Sequence, residues 1–175
     1  MIGNIKIIAV CMCKVYDERN YRIIRALNNF AVENDYRLFV YHTCSDLYWK
    51  TLSEKGEQSV FDLIDYNITD AVVTFEEGVY AENVMTKIRM DAAKYGKPVI
   101  SVGVDHDDCI SIKFGYAKGF EQVVRHVIEQ HGVRDIGFIA GRKDEENSEE
   151  RIAVFRKLLE EYDICLLYTS PSPRD

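Results

Sequence analysis

Apolar residues along the chain fall into two alternating patterns. Short continuous runs rich in β-branched residues, such as IKIIAVCM at 5–12, are typical of strands buried on both faces of a parallel sheet. Longer segments such as 20–33 carry apolar residues at i, i+3, i+4 and i+7, which predicts helices with one buried face. The predicted strands are 5–12, 37–43, 71–75, 99–104, 110–114 and 136–140, and the predicted helices are 20–33, 57–66, 82–95, 116–130 and 149–164.

This alternation of strands with helices predicts an α/β fold built on a doubly wound parallel sheet. Near 113–115 an extended segment leads into a long helix after four complete strand–helix units, which favours a crossover to a second sheet. We therefore expect residues 1–113 to form a complete or nearly complete first lobe. Residues 114–164 are expected to begin a second, truncated lobe.

The last eleven residues, 165–175 (CLLYTSPSPRD), differ from the rest of the chain. Their Thr-Ser-Pro-Ser-Pro run suits neither a strand nor a helix. A transposase-type sequencing adapter, translated codon by codon, gives the same residues in the same order. We therefore expect 165–175 to be a non-native tail and the natural protein to continue beyond Ile164. A natural proline-rich tail is the alternative.

Composition narrows the classes of function. With 47% hydrophobic and 29% charged residues, the chain can form a core and stay in solution. The net charge of −7 and the lack of a basic helix argue against nucleic acid as a direct partner of this segment. No apolar stretch is long enough to predict a membrane span. Five cysteines at irregular spacing, without an export signal, favour reduced thiols and a cytoplasmic location.

The segment 135–155 (DIGFIAGRKDEENSEERIAVF) places candidate binding groups after a predicted strand. A polar loop follows the strand, and a helix opens at Asn147 or Ser148. Small ligands bind there in open α/β sheets, outside the carboxyl ends of strands and near helix N-termini. The planar donors of Arg151 suit hydroxyls or a carboxylate of a ligand, or else pair with acidic neighbours in the first turn. Ser148 is either a ligand contact or, as we favour, the N-cap.

Four residues of the first lobe follow predicted strands and are expected to line the same cleft. Tyr16 could stack on a ligand ring. Asp17 either accepts hydrogen bonds from ligand hydroxyls or, as we favour, caps the following helix. Glu76 follows the third strand and Asp105 the fourth, which puts both at the cleft edge, where most of the acids are expected to be solvated.

No cofactor, metal site or catalytic constellation is expected. Cys11 and Cys13 share a strand face and have His42 and Cys44 on a neighbouring strand, but this spacing matches no common zinc pattern. The sequence has no glycine-rich phosphate loop and no Gly-x-Ser-x-Gly nucleophile elbow. A phospho-receiver domain, a rival in the same fold class, needs acids after the first strand, where this chain has Cys-Met-Cys-Lys.

Three stretches within 96–164 resemble the effector-binding domain of the lactose/galactose-repressor (LacI/GalR) family: GKPVISV, SIKFGYAKGFEQVVRHVIEQHGVRDIGFIAG and SEERIAVFRKLLEEYDI. Like that domain, these stretches have an apolar strand that begins at a proline and a helix with a small residue, Gly119, in its first turn. They also share an apolar strand closing in glycine and a Ser-x-x-Arg helix start, matched by Ser148 and Arg151.

The resemblance implies a type I periplasmic-binding-protein fold, in which a small polar effector binds in a cleft between two lobes. The effector would be sugar-like or another polar metabolite, and Arg151 matches a position that the family uses for ligand contact. Lys118 and Val154 depart from the family pattern, so no particular sugar is implied. The family also implies a sensor rather than an enzyme, and a homodimer through this domain.

Two outputs are compatible with such a sensor. The chain begins at its first strand, without the helix-turn-helix headpiece of these repressors, and phrases such as FDLIDYNITDAVV resemble sensor domains of bacterial diguanylate cyclases (GGDEF proteins). Our leading expectation is a small-molecule-sensing regulatory domain of a bacterial signalling protein that controls a downstream diguanylate cyclase. The alternative is the effector-binding domain of a LacI/GalR-type transcriptional regulator without its headpiece. A stand-alone α/β enzyme is disfavoured because no catalytic constellation is present.

Overall fold

The computed structural model describes residues 5–77, 79–141 and 146–165. The chain divides into two compact units, Met1–Lys113 and Phe114–Asp175, which are described separately. The strands of unit 1 are β1 (Lys6–Cys13), β2 (Tyr36–Thr43), β3 (Ala71–Phe75), β4 (Val99–Val102) and β5 (Ile110–Ile112). Its helices are α1 (Glu18–Glu33), α2 (Leu52–Gln58), a 3₁₀ helix (Ser59–Leu63) and α3 (Glu82–Lys94). The helices of unit 2 are α4 (Tyr116–His131) and α5 (Glu146–Glu161).

The five strands of unit 1 form one parallel sheet in the order β2-β1-β3-β4-β5. Ala9 of β1, for example, lies opposite Phe39 of β2 on one side and Val72 of β3 on the other. The predicted doubly wound α/β sheet is therefore confirmed. Because all five strands run in the same direction, their carboxyl ends share one edge of the sheet, which is the edge where such folds bind ligands.

The core of unit 1 is built on β1, whose residues 9–12 are at most 1% exposed. Burial on both faces of the sheet explains why the sequence shows an uninterrupted apolar run there. Met85, Ile88 and Ala92 of α3, at helical spacing, join the same buried cluster as Leu47 from the loop after β2. This packing anchors the strands whose carboxyl ends carry the candidate residues.

Helix α2 begins earlier than the sequence pattern predicts. The pattern predicts a helix over 57–66, whereas α2 spans Leu52–Gln58 and the 3₁₀ helix continues the segment. The cause is a capping box, in which Thr51 Oγ1 accepts from Glu54 N at 3.2 Å and the Glu54 carboxylate accepts from Thr51 N at 3.0 Å. These two bonds satisfy free backbone donors of the first turn and so fix the helix start.

Unit 2 consists of α4 and α5 packed along an apolar stripe. Val124 and Ile128 of α4 and Phe155 of α5 are buried in one cluster. Arg125 also joins the two helices, because its Nη1 and Nη2 donate to the Glu161 carboxylate at 2.6 and 2.7 Å. The two helices therefore form a core of their own.

The prediction of a strand at 136–140 is wrong. These residues form no strand, and Ile139 is 97% exposed. Phe138 instead packs against Phe120 and Phe155, with ring centroids 5.0 and 5.1 Å away. A parallel strand needs a hydrogen-bonding neighbour, and the described residues of unit 2 contain no other strand. The apolar run therefore contributes a side chain to the helical core without joining a sheet.

None of the described helices is long and apolar enough to cross a membrane. Of the predicted non-native tail, only Cys165 belongs to the described residues, and its side chain is exposed. The remaining positions, 166–175, lie outside them, so the origin of the tail stays a prediction.

Candidate functional site

Polar contacts join the loops that follow β1, β2 and β3 at the carboxyl edge of the sheet. Lys14, after β1, donates from Nζ to Asp46, after β2, at 2.8 Å. The Asp46 carbonyl in turn accepts from the backbone N–H of Tyr80, after β3, at 3.0 Å. The hydrogen bond between the two side chains lowers the pKa of Asp46 and raises that of Lys14. Asp46 thus connects three loops of this edge.

The loop after β4 approaches the same edge through a glycine. Gly103 has φ +106°, and a Cβ at this position would lie 2.7 Å from Cβ and 2.8 Å from N of Glu77. Both the backbone conformation and the close approach require glycine. Glu77 also forms an ion pair with Arg19 of α1, so the loop after β3 is held from two sides.

Glu76, a candidate ligand contact, is buried in a network of its own. Its Oε1 accepts from Thr74 Oγ1 at 2.7 Å and from Arg89 Nη1 at 2.9 Å. Its Oε2 lies 3.0 Å from the same Arg89 nitrogen and 2.9 Å from His106 Nε2. Most of the acids at this edge were expected to be solvated; Glu76 is an exception, because the guanidinium from α3 compensates its buried charge. The carboxylate holds the loop after β4 in place, and direct ligand contact by Glu76 stays a prediction.

Sequence interpretation missed this network, although one signal was present. Arg89 is buried between Ile88 and Ala92 of α3, so a cation stands within an apolar helical stripe. A buried cation needs an acidic partner nearby. Glu76, at the end of the strand that precedes the helix, was the natural candidate. Nothing comparable in the sequence pointed to His106, thirty residues further along.

Exposed aromatic rings lie along the same edge. Tyr16 is 75% exposed and contacts the His42 ring edge to face, with centroids 5.3 Å apart. Trp49 is 76% exposed and contacts Tyr48 at 4.6 Å, and Tyr48 contacts Tyr80 at 5.2 Å. Flat rings beside polar groups suit a ligand that has both an apolar face and hydroxyls.

The two other acidic candidates of unit 1, Asp17 and Asp105, are exposed. Asp17 occupies the N-cap position of α1, and its carbonyl accepts from Tyr21 N at 2.8 Å. The favoured interpretation of Asp17 as the cap of this helix is therefore confirmed in position, although its side chain makes no capping hydrogen bond. Both carboxylates are therefore accessible to a ligand.

Ser148 and Arg151 lie in the first turns of α5 in unit 2. The favoured interpretation of Ser148 as the N-cap is wrong, because α5 already begins at Glu146. Ser148 is fully buried, and its Oγ has no hydrogen-bond partner among the described residues. Arg151 is half-buried, and its Nε donates to the carbonyl of Asn147 at 2.9 Å.

The cysteines near the end of β1 are buried thiols. Burial raises the pKa of Cys11 far above its ordinary value. Burial also raises the pKa of Cys13 to about 11, although the hydrogen bond that its sulfur accepts from Thr43 Oγ1 at 3.0 Å acts to lower it. Within 5–77, 79–141 and 146–165, no group of three or more His, Cys, Asp or Glu side chains could hold a metal ion.

No protein-family model and no curated protein matches this chain, but solved structures match its fold. The transcription regulator CcpA of Lactococcus lactis is 21% identical with a TM-score of 0.66, over 92% of this chain and 55% of that one. A periplasmic binding protein/LacI transcriptional regulator from Alkaliphilus metalliredigens QYMF, complexed with D-xylulofuranose, is 17% identical with a TM-score of 0.64, over 92% and 55%. A lac repressor dimer bound to operator and the anti-inducer ONPF is 14% identical with a TM-score of 0.62, over 92% and 53%.

The chain therefore has the fold of LacI-type, periplasmic-binding-protein-like domains, and it spans about half the length of these structures. The fold implied by the sequence resemblance is confirmed. The CcpA and Alkaliphilus metalliredigens neighbours are described as transcription regulators. They lend no support to a diguanylate cyclase output, to an adapter origin of the tail or to the absence of a nucleic-acid partner.

Proposed function

We propose that this chain is the effector-binding segment of a LacI-type transcriptional regulator, and that its effector is a small polar metabolite of the sugar class. The observation that carries the proposal is the carboxyl edge of the unit 1 sheet. Polar contacts tie its loops together, while aromatic and acidic side chains on those loops remain exposed. A preassembled edge lowers the cost of ordering loops when a ligand binds, and the regulators among the fold neighbours support the class of protein.

The exposed side chains at this edge have the chemistry of a sugar site. The rings of Tyr16 and Trp49 offer flat faces for the C–H surface of a sugar. The carboxylates of Asp17 and Asp105 accept hydrogen bonds from hydroxyls. The Alkaliphilus metalliredigens neighbour is complexed with D-xylulofuranose, which supports the proposed class of effector.

Arg151 is the residue of unit 2 that we propose for effector contact. Its Nε–H is used by the Asn147 carbonyl, which fixes the guanidinium beside the first turn of α5. The two Nη groups of a guanidinium are suited to neighbouring hydroxyls or a carboxylate. Ser148 Oγ is buried and has no hydrogen-bond partner in the part of the chain that the structure describes, which is costly, and it is proposed as a second polar group for the same ligand.

The proposed output is control of transcription. The fold neighbours favour it over a diguanylate cyclase, and the lac repressor neighbour is a dimer bound to operator. The net charge of −7 supports placing the DNA contact in another part of the protein than this segment. We also propose a homodimer in the cytoplasm. Helix α1 supports it, because Tyr21, Phe30 and Val32 are 58%, 64% and 52% exposed.

The proposal is tested with the full-length protein by isothermal titration calorimetry against a panel of monosaccharides that includes D-xylulose and D-glucose. We expect at least one sugar to bind. Arg151→Ala and Tyr16→Ala should each weaken that binding at least about tenfold, which corresponds to about 1.4 kcal/mol. Arg156→Ala, which removes an exposed arginine from the same helix, is the control and should leave the affinity unchanged.

Three results would contradict the proposal in distinguishable ways. If no sugar binds, the effector class is wrong. If Arg156→Ala weakens binding as much as Arg151→Ala, the site assignment is wrong. If the full-length protein synthesises cyclic diguanylate and binds no DNA from the region upstream of its own gene, the output is wrong while the sensor remains.

A further inference from the structure

Two histidines lie close together at the end of α4, in a region that the proposed effector site does not use. The Nε2 atoms of His126 and His131 are 3.2 Å apart. Their ring centroids are 4.9 Å apart, and the ring planes make an angle of 78°. Both side chains are exposed, and Gly132, with φ +64°, ends the helix directly after His131.

A hydrogen bond and a shared metal ion can each bring imidazole nitrogens this close. In a linear N–H···N hydrogen bond of this length, the nitrogens lie on the line between ring centres, which places the centroids about 5.6 Å apart. If both nitrogens instead bind one metal ion at about 2.05 Å, N–metal–N angles from square-planar to tetrahedral place the nitrogens about 2.9–3.4 Å apart and the centroids about 4.6–5.3 Å apart. The observed 3.2 and 4.9 Å fall within the ranges for a shared ion, and the centroids are closer than a linear hydrogen bond places them.

We propose that His126 and His131 form a binding site for a divalent late first-row transition metal ion, such as Ni²⁺, Cu²⁺ or Zn²⁺. Imidazole is a ligand that these ions prefer. The site lies in the last turns of α4, where the carbonyl dipoles of the helix favour positive charge. Glu129, between the two histidines, accepts a hydrogen bond from the Tyr162 hydroxyl. Within the described residues no third His, Cys, Asp or Glu side chain joins the pair, so the proposed site has two protein ligands.

A bound ion would link residues five positions apart across the last turns of α4. It would therefore oppose fraying of the helix end next to Gly132, where the glycine N–H donates to the Ile128 carbonyl at 3.1 Å. Ile128 is buried against α5, so the same ion would stabilise the helical core of unit 2.

The test is isothermal titration calorimetry of the whole chain with Ni²⁺ at neutral pH. The chain carries Cys44→Ser and Cys165→Ser, because these exposed thiols would compete for the ion. We expect one Ni²⁺ per chain, and at least about a tenfold loss of affinity for His126→Ala and for His131→Ala. His42→Asn is the matched control, since His42 packs against the Tyr16 ring and should not contribute.

A second readout uses Cu²⁺ and electron paramagnetic resonance, in which two equivalent nitrogens give a characteristic hyperfine pattern. We expect that pattern in the parent chain and its loss in both histidine variants, with circular dichroism showing that the variants fold. The absence of Ni²⁺ binding, equal affinity in the parent chain and the histidine variants, or an equal loss in His42→Asn would each overturn the site.

Discussion

Replacing Arg89 with methionine tests how strongly the buried acid network stabilises unit 1. The Glu76 and Arg89 side chains are 6% and 7% exposed, and methionine keeps much of the aliphatic volume without the charge. Glu76 would keep Thr74 and His106 as partners and lose both contacts from the guanidinium. Breaking a buried ion pair from one side costs about 3–5 kcal/mol, because the remaining charge stays desolvated. We expect a loss near the lower end, about 3 kcal/mol, since two partners of the carboxylate remain.

Urea unfolding followed by Trp49 fluorescence measures this loss. Trp49 is the only tryptophan of the chain and lies in unit 1, beside Tyr48 at 4.6 Å. With a denaturant slope of about 1–3 kcal/mol per molar urea, the midpoint should fall by about 1–3 M. Lys87→Met is the control, because it removes a surface ion pair with Asp62 whose side chains are 62% and 59% exposed. Exposed pairs contribute little, so the control midpoint should barely move.

The double variant Glu76→Gln/Arg89→Met separates charge burial from packing. It leaves no uncompensated buried charge, so it should be more stable than Arg89→Met alone. The reasoning is refuted if Arg89→Met lowers the midpoint no more than Lys87→Met does. It is also refuted if the double variant is as unstable as the sum of the two single variants, since the two side chains would then not interact.

Three further changes test other parts of the fold. Gly103→Ala should lower the free energy of unfolding in urea by about 1–3 kcal/mol, because of the φ of +106° and the 2.7 Å approach of the added Cβ to Glu77. Gly56→Ala in α2, where no atom lies within 4 Å of the added Cβ, is the control and should be neutral or stabilising. Equal effects of the two substitutions would contradict the argument. The pKa of Asp46 is lowered in the fold, so its ion pair stabilises above the unfolded value of about 3.9 and is lost as the pH falls through the folded pKa. The melting temperatures of wild type and Asp46→Asn should therefore differ at neutral pH and converge in acid; a constant difference would show that the charge is irrelevant. Iodoacetamide at about pH 8 should label exposed Cys44 at least about a hundredfold faster than buried Cys13, whose pKa is raised to about 11. Mass spectrometry of the digested protein measures the two rates, and faster labelling of Cys13 would contradict the argument.

The strands of unit 1 could be predicted because burial on both faces leaves a local signature. The run IKIIAVCM at 5–12 identifies β1, which the structure places at Lys6–Cys13. The same reasoning failed at 136–140, where the apolar pattern is equally good. A strand exists only if another strand pairs with it, and local sequence does not state whether the partner is there.

The polar part of the candidate site was predictable only in outline. Topology puts Tyr16, Asp17, Glu76 and Asp105 at one edge of the sheet, and the structure does so. Whether each side chain is free depends on partners distant in sequence. The buried state of Glu76 is set by residues thirteen and thirty positions away, so no local pattern could distinguish it from exposed Asp105.

If the chain is the proposed sensor, the tied loops at the carboxyl edge constrain how it responds to its effector. Lys14 with Asp46, and Glu77 with Arg19, join neighbouring elements through ion pairs within the protein itself. An effector that binds a preordered edge loses little affinity to ordering loops, but it also changes that edge little. A ligand can shift a conformational equilibrium only through contacts that differ between the two states. Under the proposed function, the discriminating contact would therefore come from outside the tied loops, and Arg151 is the residue that we propose for it.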